Sequence, residues 1–171
     1  MAIELKKIEN INEFYKICEL SECVNYNIFY RKINEIDDRS LLYKIVAGSD
    51  KEKREVGIAV LYDKDTTNKN IKIDGALIDS KDFNCLKEAA IKLLKISFED
   101  MDMEKVYVEF VSRDMAKFTL LNRVRFIREG YLRDHTIIDG KKYSVEVWSM
   151  LRHEYTRFFN DEKRVKKLLL I

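Results

Sequence analysis

The chain reads as an α/β fold, and three features of its 171 residues point there. Seven short apolar runs are strand-like, bounded by polar turns. Between the fourth and fifth lies the clearest helix, in which Leu86, Ala89, Ala90, Leu93, Leu94, Phe98 and Met101 form one apolar stripe. Asp139-Gly140 marks a hairpin turn between the last two runs, because glycine takes a positive φ without steric cost.

Taken in order, "IELKKI" alternates and predicts a first strand. "NINEFYKICELSECV" places Ile11, Phe14, Ile17 and Cys18 at helical spacing, with Asn10 or Asn12 as its cap. The aromatic "NYNIFYRKINEIDDRS" reads as a loop with a short helix. "LLYKIVAG", "EVGIAVLYD" and "NIKIDGALID" form an antiparallel meander across the turns "SDKEKR" and "KDTTNK". The striped helix follows, then "KVYVEFV" as a central strand and "RDMAKFTLLNRV" as a short helix. "FIREGYLRD" and "KYSVEVWSML" close the chain as strands, the second with Trp148 and Met150 on one face and Val145 and Val147 on the other. The order is β-α-(α)-β-β-β-α-β-α-β-β.

Composition narrows the class. Hydrophobic residues make up 46% and charged residues 36%, a globular balance with enough chain for one ordinary core. The expectation is one domain over 1–171 with a short C-terminal extension from about residue 156. Thirty-two basic residues stand against 30 acidic ones, well interspersed, whereas nucleic-acid binding calls for a concentrated basic face. Only the tail "DEKRVKKLLLI" hints at one, and no nucleic acid partner is expected. No apolar run approaches the ~20 residues of a membrane span, and the first residues carry no apolar signal core. A cytoplasmic protein without a membrane partner is expected. Cys18, Cys23 and Cys85 are an odd set without ligand-like pairing, so the reading is buried or incidental thiols and no metal.

With its long helix between the fourth and fifth strands, this order is similar to the GNAT superfamily of N-acetyltransferases. The stretch "FIREGYLRDH…IDGKKYSV…SMLRHEY" strengthens the resemblance. It is similar to the end of the branch that holds ribosomal-protein Nα-acetyltransferases and amino-sugar acetyltransferases. There the pattern is Gly-Phe-x-x-Glu-Gly-x-x-Arg, an Asp-Gly turn before Tyr, and a strand ending Met-Leu-x-x-Glu-Tyr/Trp. The match covers residues 126–155 closely, 70–125 less closely, and is topological before that. It implies a GNAT fold, a mixed central sheet of about six to seven strands with flanking helices. It also implies acyl transfer from acetyl-CoA to a small-molecule or protein amine.

The chain departs from the family at two places. GNAT enzymes hold the CoA pyrophosphate on the N-terminus of the long helix, through closely spaced glycines whose N–H groups converge on the anion. Here "DSKDFNC" supplies no glycine, and Asp79 and Asp82 put carboxylates where phosphates would sit. Ser80 or Asp82 can cap the helix instead. Acetyl-CoA is therefore expected to bind weakly, through Ala76, Leu77 and Ile78 of the fourth strand and through Ser80, Lys81, Asn84 and Lys87 of the helix start. The second departure follows the fifth strand. Placing Phe126 on the family Phe puts Arg125 at its Gly, Asp114 at its Asn and Leu121 at the Tyr whose hydroxyl protonates the leaving thiolate.

Two carboxylates could still serve as bases. Glu109 lies on the fifth strand, where it reads either as a base acting through water or as a solvated strand carboxylate. Asp74, beside Gly75 on the fourth strand, reads as a second base or as a surface acid near a turn. Arg133 and His135 are the candidates on the acceptor side, with a solvated hairpin as the alternative. Cys85 would have a lowered pKa if exposed at the helix start, but fits a small core residue better. Two functions remain open at this point. One is an N-acyltransferase with an atypical donor loop; the other is a degenerate GNAT-like binding or regulatory module, or a variant charged by an acyl-carrier protein.

Overall fold

The computed structural model describes residues 3–20, 39–49 and 52–159. Seven strands form one mixed sheet in the order β1-β2-β3-β4-β5-β7-β6. They are β1 (Ile3–Lys7), β2 (Leu41–Ser49), β3 (Glu52–Asp65), β4 (Asn70–Leu77), β5 (Lys105–Val111), β6 (Ile127–Ile138) and β7 (Lys141–Leu151). The described helices are α1 (Ile11–Leu20), α2 (Phe83–Lys95), α3 (Met115–Arg123) and α4 (Arg152–Phe159). A 3₁₀ turn at Ser80–Asp82 leads into α2, and a π turn at Ile96–Asp100 extends it. The segment 25–38 of the expected loop with a short helix lies outside the described residues.

Both faces of the sheet are covered, which is why β3 carries the near-continuous apolar run Val56–Tyr62. Ala59, Leu61, Ile71, Ile73, Val106, Val108 and Phe110 pack under α2 and α3. Ile58, Val60, Tyr62 and Ala76 meet Phe14 and Ile17 of α1 on the other face. The stripe expected on the long helix is buried at Ala89, Ala90, Leu93, Leu94 and Phe98. Its last turn widens, with the Ser97 hydroxyl donating to the Leu93 carbonyl at 2.8 Å. Phe98 then stacks on Tyr155 of α4 at a ring separation of 4.8 Å. The sequence reading stopped at the last strand and did not foresee α4.

β4 and β5 are parallel, but only three residue pairs join them: Asn70 with Lys105, Ile71 with Val106 and Lys72 with Tyr107. Beyond these the two strands separate, the V-shaped opening that the family resemblance implies. β5 turns instead to β7, with which it pairs along its whole length. The charges of "REGYLRDH" tie the edge strand down. Glu129 bonds Lys105 and Ser149, each at 2.6 Å, while Arg128 pairs with Glu146, which also accepts from the Trp148 indole at 2.7 Å. The Asp139-Gly140 turn has both residues at positive φ, as a two-residue hairpin turn requires.

Arg125, at the position where the resemblance places glycine, has φ of +68°. It ends α3 in a left-handed cap, with the Phe126 N–H reaching the Leu121 carbonyl at 2.9 Å. A side chain in this conformation costs about 1–2 kcal/mol. Arg125→Gly is therefore expected to stabilise the protein by about 1 kcal/mol. Urea unfolding should show this as a higher midpoint at unchanged slope; an unchanged midpoint would mean that Arg125 makes a compensating contact.

Candidate functional site

The opening between β4 and β5 forms a narrow apolar cavity of about 40 Å³, room for a few water molecules. Ile73 and Gly75 of β4, Val108 of β5, Leu86, Ala89, Ala90 and Leu93 of α2, and Leu120 and Leu121 of α3 supply its apolar walls. The only charged groups in that lining are Asp74 and Lys117. Lys117 reaches in from α3 and places Nζ 2.6 Å from Asp74 Oδ1. The same oxygen accepts from the Gly75 N–H at 2.7 Å. Asp74 is nearly sealed, its side chain 3% exposed, and its Oδ2 has no hydrogen-bond partner among the described residues.

Glu109 lies across the opening. Lys72 and Tyr107 are the last paired residues, and Asp74 and Glu109 lie two residues further along their strands, where these have separated. Of the two carboxylates singled out in the sequence, Asp74 lines the cavity and Glu109 does not. Lys72 serves the second of them: its ammonium is 3.5 Å from Glu109, 2.9 Å from Asp63 and 5.4 Å above the Tyr107 ring. Burial pulls the Lys72 pKa down, but the Asp63 hydrogen bond and the Glu109 charge outweigh it and leave the pKa raised. Burial also lifts the Tyr107 phenol above its ordinary value.

At the start of α2 the acidic residues have partners of their own. Asp79 caps the 3₁₀ turn by accepting from the Lys81 N–H at 2.9 Å, and Lys81 Nζ closes on the same carboxylate. Asp82 does not cap the helix with its side chain, contrary to expectation; Arg54 of β3 holds it with two bonds of 2.5 and 2.7 Å. Ser80 belongs to the 3₁₀ turn and Asn84 is exposed at the first turn of α2. Ala76 and Leu77 are buried and Ile78 is half-buried, its N–H given to the Val56 carbonyl. Lys87 corrects the sequence reading: it is 2% exposed, and burial, then the nearby Arg123 charge, lowers its pKa. It does not extend from the helix start into solvent. Cys85 is buried too, and desolvation raises its thiol pKa, so it packs rather than reacts.

Arg133 and His135 are exposed on β6 at the sheet edge, in an irregular stretch between Leu132 and Thr136. β7 separates them from β5, and the structure does not bring them to the opening. The sequence reading missed Lys117, Lys72 and Arg54. Lys117 left one signal, since it lies one helical turn before Leu121 and therefore shares its face. Among the described residues no group of three or more His, Cys, Asp or Glu side chains could hold a metal ion. None of the described helices is long and apolar enough to cross a membrane.

The slot is apolar and narrow. The helix start offers no glycine cradle, and its carboxylates are held in place by Lys81 and Arg54.

No family model matches the chain. Over 68 residues it is 29% identical to the uncharacterized N-acetyltransferase p20 of Bacillus licheniformis, a match covering 40% of this chain and 38% of that protein. The chain thus spans about two fifths of the length of the curated relative that it matches. Among solved structures it is similar to the spermidine/spermine N-acetyltransferase SpeG of Vibrio cholerae, with a TM-score of 0.70 at 15% identity, over 91% of this chain and 95% of that one. A chimera of Vibrio cholerae SpeG and hSSAT gives a TM-score of 0.71 at 15% identity, over 91% and 99%. The fold is that of the GNAT acetyltransferases.

Proposed function

We propose that the protein transfers an acyl group from a thioester donor to an amine, within the opening between β4 and β5. The observation that carries the reading is the buried Asp74–Lys117 pair in the wall of an apolar slot that opens where two parallel strands part. The donor would supply an acyl group on sulfur, entering by its pantetheine end along the slot. An acceptor amine arrives at neutral pH as an ammonium ion and must lose a proton before it can attack. Glu109, half-buried and steadied by Lys72, is placed to take that proton, directly or through water. The acceptor is an amine of a class still to be fixed. Polyamines are suggested by the solved neighbours, and protein N-termini and amino sugars by the sequence resemblance.

A thiol-release assay with acetyl-CoA and a panel of these amines tests the reading. Glu109→Gln should leave the fold intact and lower kcat roughly 10²-fold or more. An unchanged kcat would show that another group deprotonates the amine. The helix start supports one refinement of the donor. Where Arg54 and Lys81 already neutralise Asp82 and Asp79, an acyl-carrier protein recognised by its thioester end suits the site better than a donor held by nucleotide phosphates.

A further inference from the structure

Leu121 has no proton to give, so a donor for the leaving sulfur must come from elsewhere. We propose that Asp74 and Lys117 form a proton relay, with Lys117 as the acid that protonates the leaving sulfur. This rests on the acyl-transfer reading above and deepens it. Three observations carry it. Lys117 and Leu121, one helical turn apart, line the same cavity, so the lysine ammonium enters the slot from the side that the missing hydroxyl would occupy. Its Nζ is 2.6 Å from Asp74 Oδ1, a distance across which a proton can pass. Asp74 Oδ2 is buried without a donor among the described residues, which leaves one carboxylate oxygen able to accept a proton.

The relay balances. Once Glu109 has left the amine neutral, the amine nitrogen bonds the acyl carbon and gives up one of its two protons to Asp74 Oδ2, the other staying on the amide. The carbon–sulfur bond breaks with its electron pair on sulfur, and Lys117 gives that sulfur a proton. The proton held by Asp74 then restores Lys117 across their contact. Two protons have left nitrogen: one ends on sulfur, and the one taken by Glu109 is released to solvent.

The test is steady-state thiol release by the full chain, using acetyl-CoA as probe and the amine panel above. Lys117→Arg keeps the charge and the ion pair but cannot release a proton. The double variant Asp74→Asn with Lys117→Met removes both charges together and so avoids leaving one buried alone. Each is expected to lower kcat by roughly 10²–10⁴-fold, while KM for acetyl-CoA changes only a few-fold. An undiminished kcat in either variant overturns the relay and leaves acyl transfer standing. So does a loss confined to KM, which would make the pair a binding element. A wild-type protein that releases no thiol with any amine, either from acetyl-CoA or from an acetylated acyl-carrier protein, overturns acyl transfer itself, and the relay with it.

Discussion

Acetyl-CoA is expected to bind this protein two to four decades more weakly than it binds an acyltransferase with a glycine-rich donor loop. The physical argument is a count of absent contacts. A backbone N–H given to a charged oxygen contributes ~1.5–3 kcal/mol, and the "DSKDFNC" segment lacks at least two such donors. Together these amount to roughly 3–6 kcal/mol, or about two to four decades in Kd. The structure adds that Lys87 cannot compensate, because it is buried, and that Lys81 and Arg54 are already committed to Asp79 and Asp82. Titration calorimetry at moderate salt measures the outcome. Micromolar binding would mean that Arg54 and Lys81 leave their carboxylates for the phosphates, and would favour CoA as the natural donor. No heat at millimolar ligand would favour a carrier-protein donor or a non-catalytic role.

The second large effect is on stability. Replacing Lys117 alone with Met is expected to destabilise the fold by about 3–5 kcal/mol, because it strands the Asp74 carboxylate in an apolar cavity. Adding Asp74→Asn should recover most of that loss, since the amide oxygen can still accept the Gly75 N–H and no buried charge remains. Chemical denaturation of the two single variants and the double gives the coupling energy directly. If the single and double variants were equally unstable, the lysine would act through packing of its stem and not through its charge.

Most of the fold was legible because it rests on local pattern. The period-two runs gave the strands. The apolar stripe from Leu86 to Phe98 gave α2, and the Asp139-Gly140 turn fixed the final hairpin. α4 was not legible: it follows β7 without a break, and its first residues read as the end of the strand pattern. The site was only half legible. Asp74 and Glu109 could be named because carboxylates inside strand runs stand out. Their partners could not, since Lys117 looks like any solvated lysine on a short helix until the opening of β4 and β5 gives it somewhere to go. The same holds for Arg54, whose bond to Asp82 joins residues 28 apart in sequence. Absence was easier to read than presence: that "DSKDFNC" holds no glycine needed no structure.

The three residue pairs between β4 and β5 make the sheet, mechanically, two plates on one short hinge. The larger plate is β1 to β4 and the smaller is β5 to β7, and the hinge lies at the closed end of the V. It is pinned on the outside as well. Lys69 bonds Asp102 at 2.7 Å, and Arg152 joins Asp102 at 2.8 Å and Glu104 at 2.9 Å, so the loop before β5, the start of α4 and the turn before β4 meet in one ionic clasp. Such exposed contacts weaken as salt screens them. Widening of the slot to admit a guest therefore takes the form of a rotation about Asn70–Lys72, with the strand ends at Leu77 and Val111 travelling furthest. Low salt stiffens that rotation and high salt eases it.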